Sequence, residues 1–374
     1  MNYDVAIIGS GTMGMAAGYY LSKHHKRVVL MDANDPPHTE GSHHGETRLI
    51  RHAYGEGEDY VPMVLRAQEL WLNLEKEANQ TLFHQTGVLN ISRESSDFLQ
   101  NVLKSATTHS LRLEKMTAHD MNTRWKGFEI PNDLMGCYEP ESGVLMSEAC
   151  VQAYRDLAAQ QGATFFTHSP INDIRTGHGE ITIETTQQTI KASELIISAG
   201  KGTNDILAML GLQLPLQPTR KTFSWFDSDE TLYQKGRFPA WTYDVDDDTY
   251  YGFPSIDGAG VKIGRHSGGH PVNSTDSLDA FGTYPEDMGD VARLSHAIMP
   301  EELPHKEGKV CTYTNTPDGD FIIDRFENHP NIKVACGFSG HGFKFASVIG
   351  EILSELVLTG ASKQDLSRFK LNRF

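Results

Sequence analysis

The densest group of reactive side chains in this sequence is residues 41–58, GSHHGETRLIRHAYGEGE, with three histidines, two arginines and three glutamates. Three readings compete for it. One is a solvated polar loop. A second is a metal site built from His43, His44 and His52. Against that reading, adjacent histidines splay apart, no i, i+4 pair exists, and arginines sit among them, so no metal is expected. The third is a polar wall beside a bound ligand. Arg48 and Arg51 lie three apart, and one helical turn would aim both guanidinium forks at one carboxylate.

Two glycine-rich turns flank the chain. Gly9-Ser10-Gly11-Thr12-Met13-Gly14 lies between a strand-like run, YDVAIIG, and a helix-like run, GMAAGYYLSKHH. A second strand, RVVLMD, ends in Asp32. Glycines allow the tight turn and let the helix N-terminus face a pyrophosphate, and the acid accepts from a ribose hydroxyl. The order strand, GxGxxG, helix, strand, acid predicts a dinucleotide site but does not separate FAD from NAD. Near the other end, GFSGHGFKFAS (337–347) is a turn entering a helix. Lys344 falls in the first turn, where the helix dipole disfavours a cation. That placement suggests a use, with a snorkelling surface lysine as the plain alternative. Ser339 stands in GFSGH rather than GxSxG, which counts against a hydrolase.

The elements that must position these groups read as follows. Residues 3–32 form a βαβ unit, and Tyr60 to Ala78 a helix with Pro62 in its first turn. Strands dominate from Pro218 to Gly268, and α/β character returns after FIIDRF. The pattern predicts a mixed α/β protein of two interleaved domains. The chain of 374 residues is long enough for both, and its net charge of −16 argues against a general nucleic-acid or anionic-membrane binder. No apolar run is long enough to span a bilayer. The N-terminal run is short, lacks a positive leader and reads as a strand rather than a signal peptide. The four cysteines are dispersed with no CxxC pair, which fits a reduced cytoplasmic setting.

Five stretches carry a resemblance: IIGSGTMGMAAGYYL, DPPHTEGSHHGETRLIRHAYGEGEDYVP, YYGFPSIDGAGVKIGRHSGG, CTYTNTPDGDFIID and GFSGHGFKFASVIGE. They resemble the monomeric sarcosine oxidase and N-methyl-L-tryptophan oxidase family of amine-oxidising flavoenzymes over essentially the whole chain. Glu46 departs from the aspartate expected there. The resemblance implies a Rossmann-type FAD-binding domain (1–82, 145–218 and 308–374) and a sheet-rich substrate domain (83–144 and 219–307). It also implies one FAD per chain, held by a cysteine thioether at the flavin 8α-methyl, which matches Cys311. Gly9, Gly11, Gly14, Asp32, Thr47, Gly340 and Lys344 are the further cofactor contacts expected.

By the same resemblance Arg51 and Lys344 clamp a substrate carboxylate, and Arg48, Thr47 and His44 lie close to the flavin ring. Tyr251 and His266 shape the amine pocket, with Tyr313 near the carboxylate side. Lys262 activates O2, because a cation beside the flavin stabilises the negative charge that dioxygen acquires. Alternation in a strand puts Lys262 opposite Val261 and Ile263 and on the other face from Arg265. Without the resemblance, an exposed sheet lysine would be the reading. The implied reaction is oxidative demethylation of an N-methyl amino acid by O2 in a cytoplasmic monomer. The products are the amino acid, formaldehyde and hydrogen peroxide. The motifs do not separate sarcosine from N-methyltryptophan. An FAD-dependent dehydrogenase with another electron acceptor, or a non-catalytic dinucleotide-binding protein, are the rival readings.

Overall fold

The structure is a computed structural model describing residues 2–177 and 179–374. The strand Asn2–Ile8 sits inside an eight-stranded sheet. Successive side chains of a strand leave on opposite faces, so Val5 and Ile7 pack with the helices while Ala6 and Ile8 enter a second core behind the sheet. Being covered on both faces is what its unbroken apolar run requires. Asn2–Ile8 pairs in parallel with Val28–Met31 and Thr189–Ile197, and parallel pairing continues to Thr164–Phe166 and His329–Cys336. Helices Thr12–Lys23, Ser147–Gln160 and Ala346–Leu358 cover one face. Small residues let them approach: a Cβ on Gly350 would lie 2.5 Å from that of Ala16. This is the expected α/β class with a Rossmann-type unit at the N-terminus.

A nine-stranded sheet forms the other half. Gln217–Phe226, Val261–Arg265, Asp248–Phe253 and Ala240–Val245 run antiparallel in that order, and Ala240–Val245 then pairs in parallel with Val88–Ser92. His305–Asn315 lies along Gln217–Phe226, so the boundary drawn at residue 308 falls inside a strand of this sheet. Helix Pro285–Ile298 is tied to the sheet by Arg220, whose two terminal nitrogens each bond an oxygen of Asp287 at 2.8 Å with both side chains buried. A small third sheet joins Thr47–Ile50, Gly143–Met146 and Phe83–His84.

Thr47–Ile50 corrects one expectation. Arg48 lies in a strand and Arg51 directly follows it, so no helical turn brings them together. Antiparallel pairing with Gly143–Met146 takes the backbone bonds that such a turn would have needed. Lys344 also shifts: it occupies a short 3-10 turn, Phe343–Phe345, that leads into helix Ala346–Leu358.

Candidate active site

A cavity of about 630 Å³ runs between the two large sheets, within the range of small-molecule and cofactor sites. One end is the glycine turn. Gly9 has φ +89°, and a Cβ there would stand 2.5 Å from the Ser198 carbonyl oxygen, so no larger residue fits. Beside Gly11 the space is open, the nearest atom to an added Cβ being 4.0 Å away. Helix Thr12–Lys23 starts there with no side-chain cap, leaving N–H groups free for a phosphate. Gly14 does not line the cavity; a Cβ would lie 2.1 Å from the Gly9 carbonyl oxygen, so its role is to let the turn close. Asp32 lines the cavity, its carboxylate anchored by the Ser10 and Asn34 N–H groups, each at 2.9 Å. The open turn and the anchored acid fit a dinucleotide.

The far end gathers residues from distant segments. Arg48, Arg51, Glu56, Tyr251, His266, Cys311, Tyr313, Gly340 and Lys344 all line it. Both arginines line this one cavity, but with separate partners. Arg48 donates to the carbonyl oxygens of Ser42, His44 and Thr47 at 2.6–2.8 Å and so pins the loop it belongs to. Arg51 is buried, places its guanidinium 4.5 Å over the Tyr54 ring and bonds both oxygens of Glu56 at 2.6 Å. Burial alone would raise the Glu56 carboxyl, but Arg51, with His341 and Lys344, outweighs it and holds the group at about 2. Lys344 donates to the His341 carbonyl oxygen at 2.8 Å and to the Tyr54 hydroxyl at 3.3 Å. Among the described residues no carboxylate lies within ion-pair distance of it. Burial, reinforced by the Arg51 charge, brings its ammonium down to about 7.

Tyr251 and His266 both line the cavity from the nine-stranded sheet side, with the His266 ring 5.4 Å from that of Tyr313. His266 leaves strand Val261–Arg265 and its N–H bonds the Thr249 carbonyl oxygen at 2.7 Å. Burial keeps both side chains neutral: the imidazole falls to about 4 and the phenol rises to about 12. Gly340, at φ +82°, lets its turn come close, since a Cβ there would lie 2.3 Å from the Tyr313 ring and 2.8 Å from that of His266. Cys311 is buried, lines the cavity and stands opposite Lys221 in register. Burial raises its thiol, while Arg48, Lys262 and Lys221 pull it back. Cys336 also lines the cavity; Cys137 and Cys150 do not.

Lys262, Thr47 and His44 lie apart from the main cavity. Lys262 is 1% exposed, so it is not the ordinary surface lysine that its sequence alone suggests. Its ammonium donates to the Gly45 carbonyl oxygen and to the carbonyl and hydroxyl oxygens of Thr47, the latter two at 3.3 and 3.2 Å. The rings of Phe223 and Phe253 sit 4.5 and 4.9 Å away. Burial and the Arg48 charge depress its ammonium well below an ordinary lysine. Thr47 is therefore a partner of Lys262, and His44 borders a second, smaller cavity with Lys309 and Phe281.

Sequence reasoning missed the acids that shape these loops. Glu148, at the start of its helix, takes the N–H groups of Gly45 and Glu46 at 2.7 and 2.8 Å. Glu139, 2% exposed, takes those of His52 and Ala53 at 2.7 and 2.9 Å and so fixes the backbone next to Arg51. Neither has a motif; an acid beside a turn is too common to single out. Tyr54 and Glu56 stood inside the charged loop without being assigned a part.

The profile of a family described as FAD dependent oxidoreductase matches residues 4–356. The chain is 45% identical over 377 residues to monomeric sarcosine oxidase of Bacillus sp. (strain NS-129), covering 100% of this chain and 97% of that one. It is 41% identical to N-methyl-L-tryptophan oxidase of Salmonella heidelberg (strain SL476), covering 100% of both. Among solved structures, L-proline dehydrogenase from P. horikoshii shares the fold, with a TM-score of 0.88 at 21% identity over 100% of this chain and 98% of that one.

Proposed function

The chain belongs to the FAD-dependent oxidoreductase family, and from that premise we propose that it oxidises an N-methyl α-amino acid at the N-methyl carbon. O2 takes up the two electrons. Water completes the reaction, and the demethylated amino acid, formaldehyde and hydrogen peroxide leave. The observation that carries this reading is the placing of Arg51 and Lys344 along one dinucleotide-sized cavity, where Lys344 has no carboxylate of its own among the described residues. A buried ammonium without a counter-ion is costly. A substrate carboxylate is the partner that completes it.

FAD, when bound, supplies the two-electron acceptor. The glycine turn and Asp32 would hold its dinucleotide half, and Cys311 would attach its ring through an 8α thioether. For the remaining work the protein supplies orientation and charge. Arg51 and Lys344 fix the carboxylate, which leaves the amine facing the neutral side chains of Tyr251 and His266. The two cations also disfavour the ammonium form, and the amine must be neutral before it loses a hydride. Lys262, buried behind the 44–47 loop, is assigned to dioxygen, with Thr47 and the Gly45 carbonyl holding its ammonium in place.

No helix among the described residues is long and apolar enough to cross a membrane, and we assign the chain to the cytoplasm as a monomer. The test is turnover in air-saturated buffer across N-methyl amino acids of increasing side-chain size, with peroxide and formaldehyde measured together. Equal amounts of both are expected. A flavin that substrate reduces but air leaves reduced would make the protein a dehydrogenase instead.

A further inference from the structure

Between the two cations of the clamp stands Tyr54, fully buried. Its ring lies under the Arg51 guanidinium at 4.5 Å, and its hydroxyl oxygen is 3.3 Å from the Lys344 ammonium. The direction of the hydrogen bonds around it follows from His341. The Nε2 of His341 is 3.1 Å from the Gly319 carbonyl oxygen, which can only accept, so Nε2 carries the proton. Nδ1 is then an acceptor, and the Tyr54 hydroxyl, 2.6 Å away, donates to it. With its proton committed to His341, the Tyr54 oxygen can only offer lone pairs to Lys344. Burial keeps His341 neutral, near 3, so this order does not reverse in the working range.

We propose that His341 and Tyr54 are positioning residues that hold the Lys344 ammonium charged and aimed into the cavity, alongside Arg51, for the substrate carboxylate. Two of the three ammonium donors are taken, by the Tyr54 hydroxyl and the His341 carbonyl, and the third is left for a ligand. The ionisable groups acting on Lys344 are Arg51, which opposes its charge, and Glu56, which favours it but is already committed to Arg51. Tyr54 therefore supplies a neutral acceptor where a carboxylate would compete with the substrate. This inference rests on the carboxylate-clamp reading.

The test uses the flavin-loaded enzyme with two readouts: acetate binding followed by flavin absorbance, and the pH profile of kcat/KM. Tyr54→Phe keeps the ring under Arg51 and removes only the oxygen. Its acetate Kd is expected to rise about tenfold, the effect of losing one hydrogen bond to a charged group. Removing an acceptor destabilises the ammonium, so the alkaline limb of the profile should move to lower pH. His341→Gln, whose amide can repeat both bonds, should stay near wild type, whereas His341→Leu should follow Tyr54→Phe. Should Tyr54→Phe fail to accumulate, the His341 pair decides the matter by the same readouts. Wild-type acetate affinity and an unmoved profile in Tyr54→Phe, or in His341→Leu, beside a weakened Lys344→Met would overturn this inference alone. Unchanged acetate binding in Lys344→Met would overturn the clamp, and the inference with it.

Discussion

The two lysines proposed for the reaction, Lys344 and Lys262, are both buried and both depressed in pKa, yet their surroundings differ and so do the outcomes expected of them. Lys344 has a free face toward the cavity and an ammonium near 7. Only the protonated form attracts a carboxylate. The free site is therefore charged below pH 7 and loses that charge as pH rises. Acetate affinity should be flat below pH 7 and fall about tenfold per unit above it, until bound acetate alone sustains the charge. Affinity that holds level to pH 9 would place the charge elsewhere. Lys262 instead meets the backbone of the 45–47 turn and two aromatic rings. Lys262→Met keeps most of the packing and removes the charge. Anaerobic reduction by substrate should stay within a few-fold of wild type, while reoxidation by air slows by at least about a hundredfold, the scale of losing one charge-stabilising group. Equal slowing of both steps would reject its assignment to dioxygen.

At the scale of elements, the loops lining the cavity are held in place by Glu139 and Glu148. The glycine turn and Asp32 were legible in the sequence as a strand–turn–helix–strand–acid order, because a tight turn fixes glycines at set spacing within one βαβ unit. The arginines were legible as residues but not as geometry: a three-residue spacing suggested a turn, and pairing with Gly143–Met146, far along the chain, made it a strand. Glu139 and Glu148 were not legible, because they act on backbone N–H groups 87 and 102 positions away, and any acid at the right place in space would do. Arg220–Asp287 is a third long-range tie of this kind. Asp287 also takes the Gly282 N–H, so Arg220→Leu would leave a buried carboxylate with amide partners and no cation. Breaking a buried pair from one side costs about 3–5 kcal/mol. Thermal unfolding of Arg220→Leu should begin well below wild type. The double variant Arg220→Leu with Asp287→Leu should recover much of the loss. A single variant as stable as wild type would show that helix Pro285–Ile298 is held by its apolar face alone.

The whole molecule explains how a chain of net charge −16 can recognise an anion. Many of the acids form ion pairs at the surface, whereas among the described residues Lys221, Lys262 and Lys344 are buried with no carboxylate within ion-pair distance, where water screens them little. The cavity also lies between the two large sheets, and each contributes part of its lining: Gly9, Gly11 and Asp32 from the eight-stranded side, Cys311, Tyr251 and His266 from the nine-stranded one. A cofactor spanning them should therefore stabilise the fold as a whole and not one half of it. Cys311→Ser separates attachment from binding. The variant is expected to release its flavin on acid precipitation, where wild type retains it. Added back at a hundred times its Kd, free FAD should stabilise the flavin-depleted variant by about 2.7 kcal/mol by mass action. Probes in both sheets should report that gain together: Trp225 and Trp241 fluorescence for the nine-stranded sheet, amide exchange of Asn2–Ile8 for the other. A gain confined to the glycine-turn half would mean that the nine-stranded sheet does not grip the ring. Retention of covalent flavin by Cys311→Ser would move the attachment to another residue, with Cys336, the other thiol on the cavity wall, next in line.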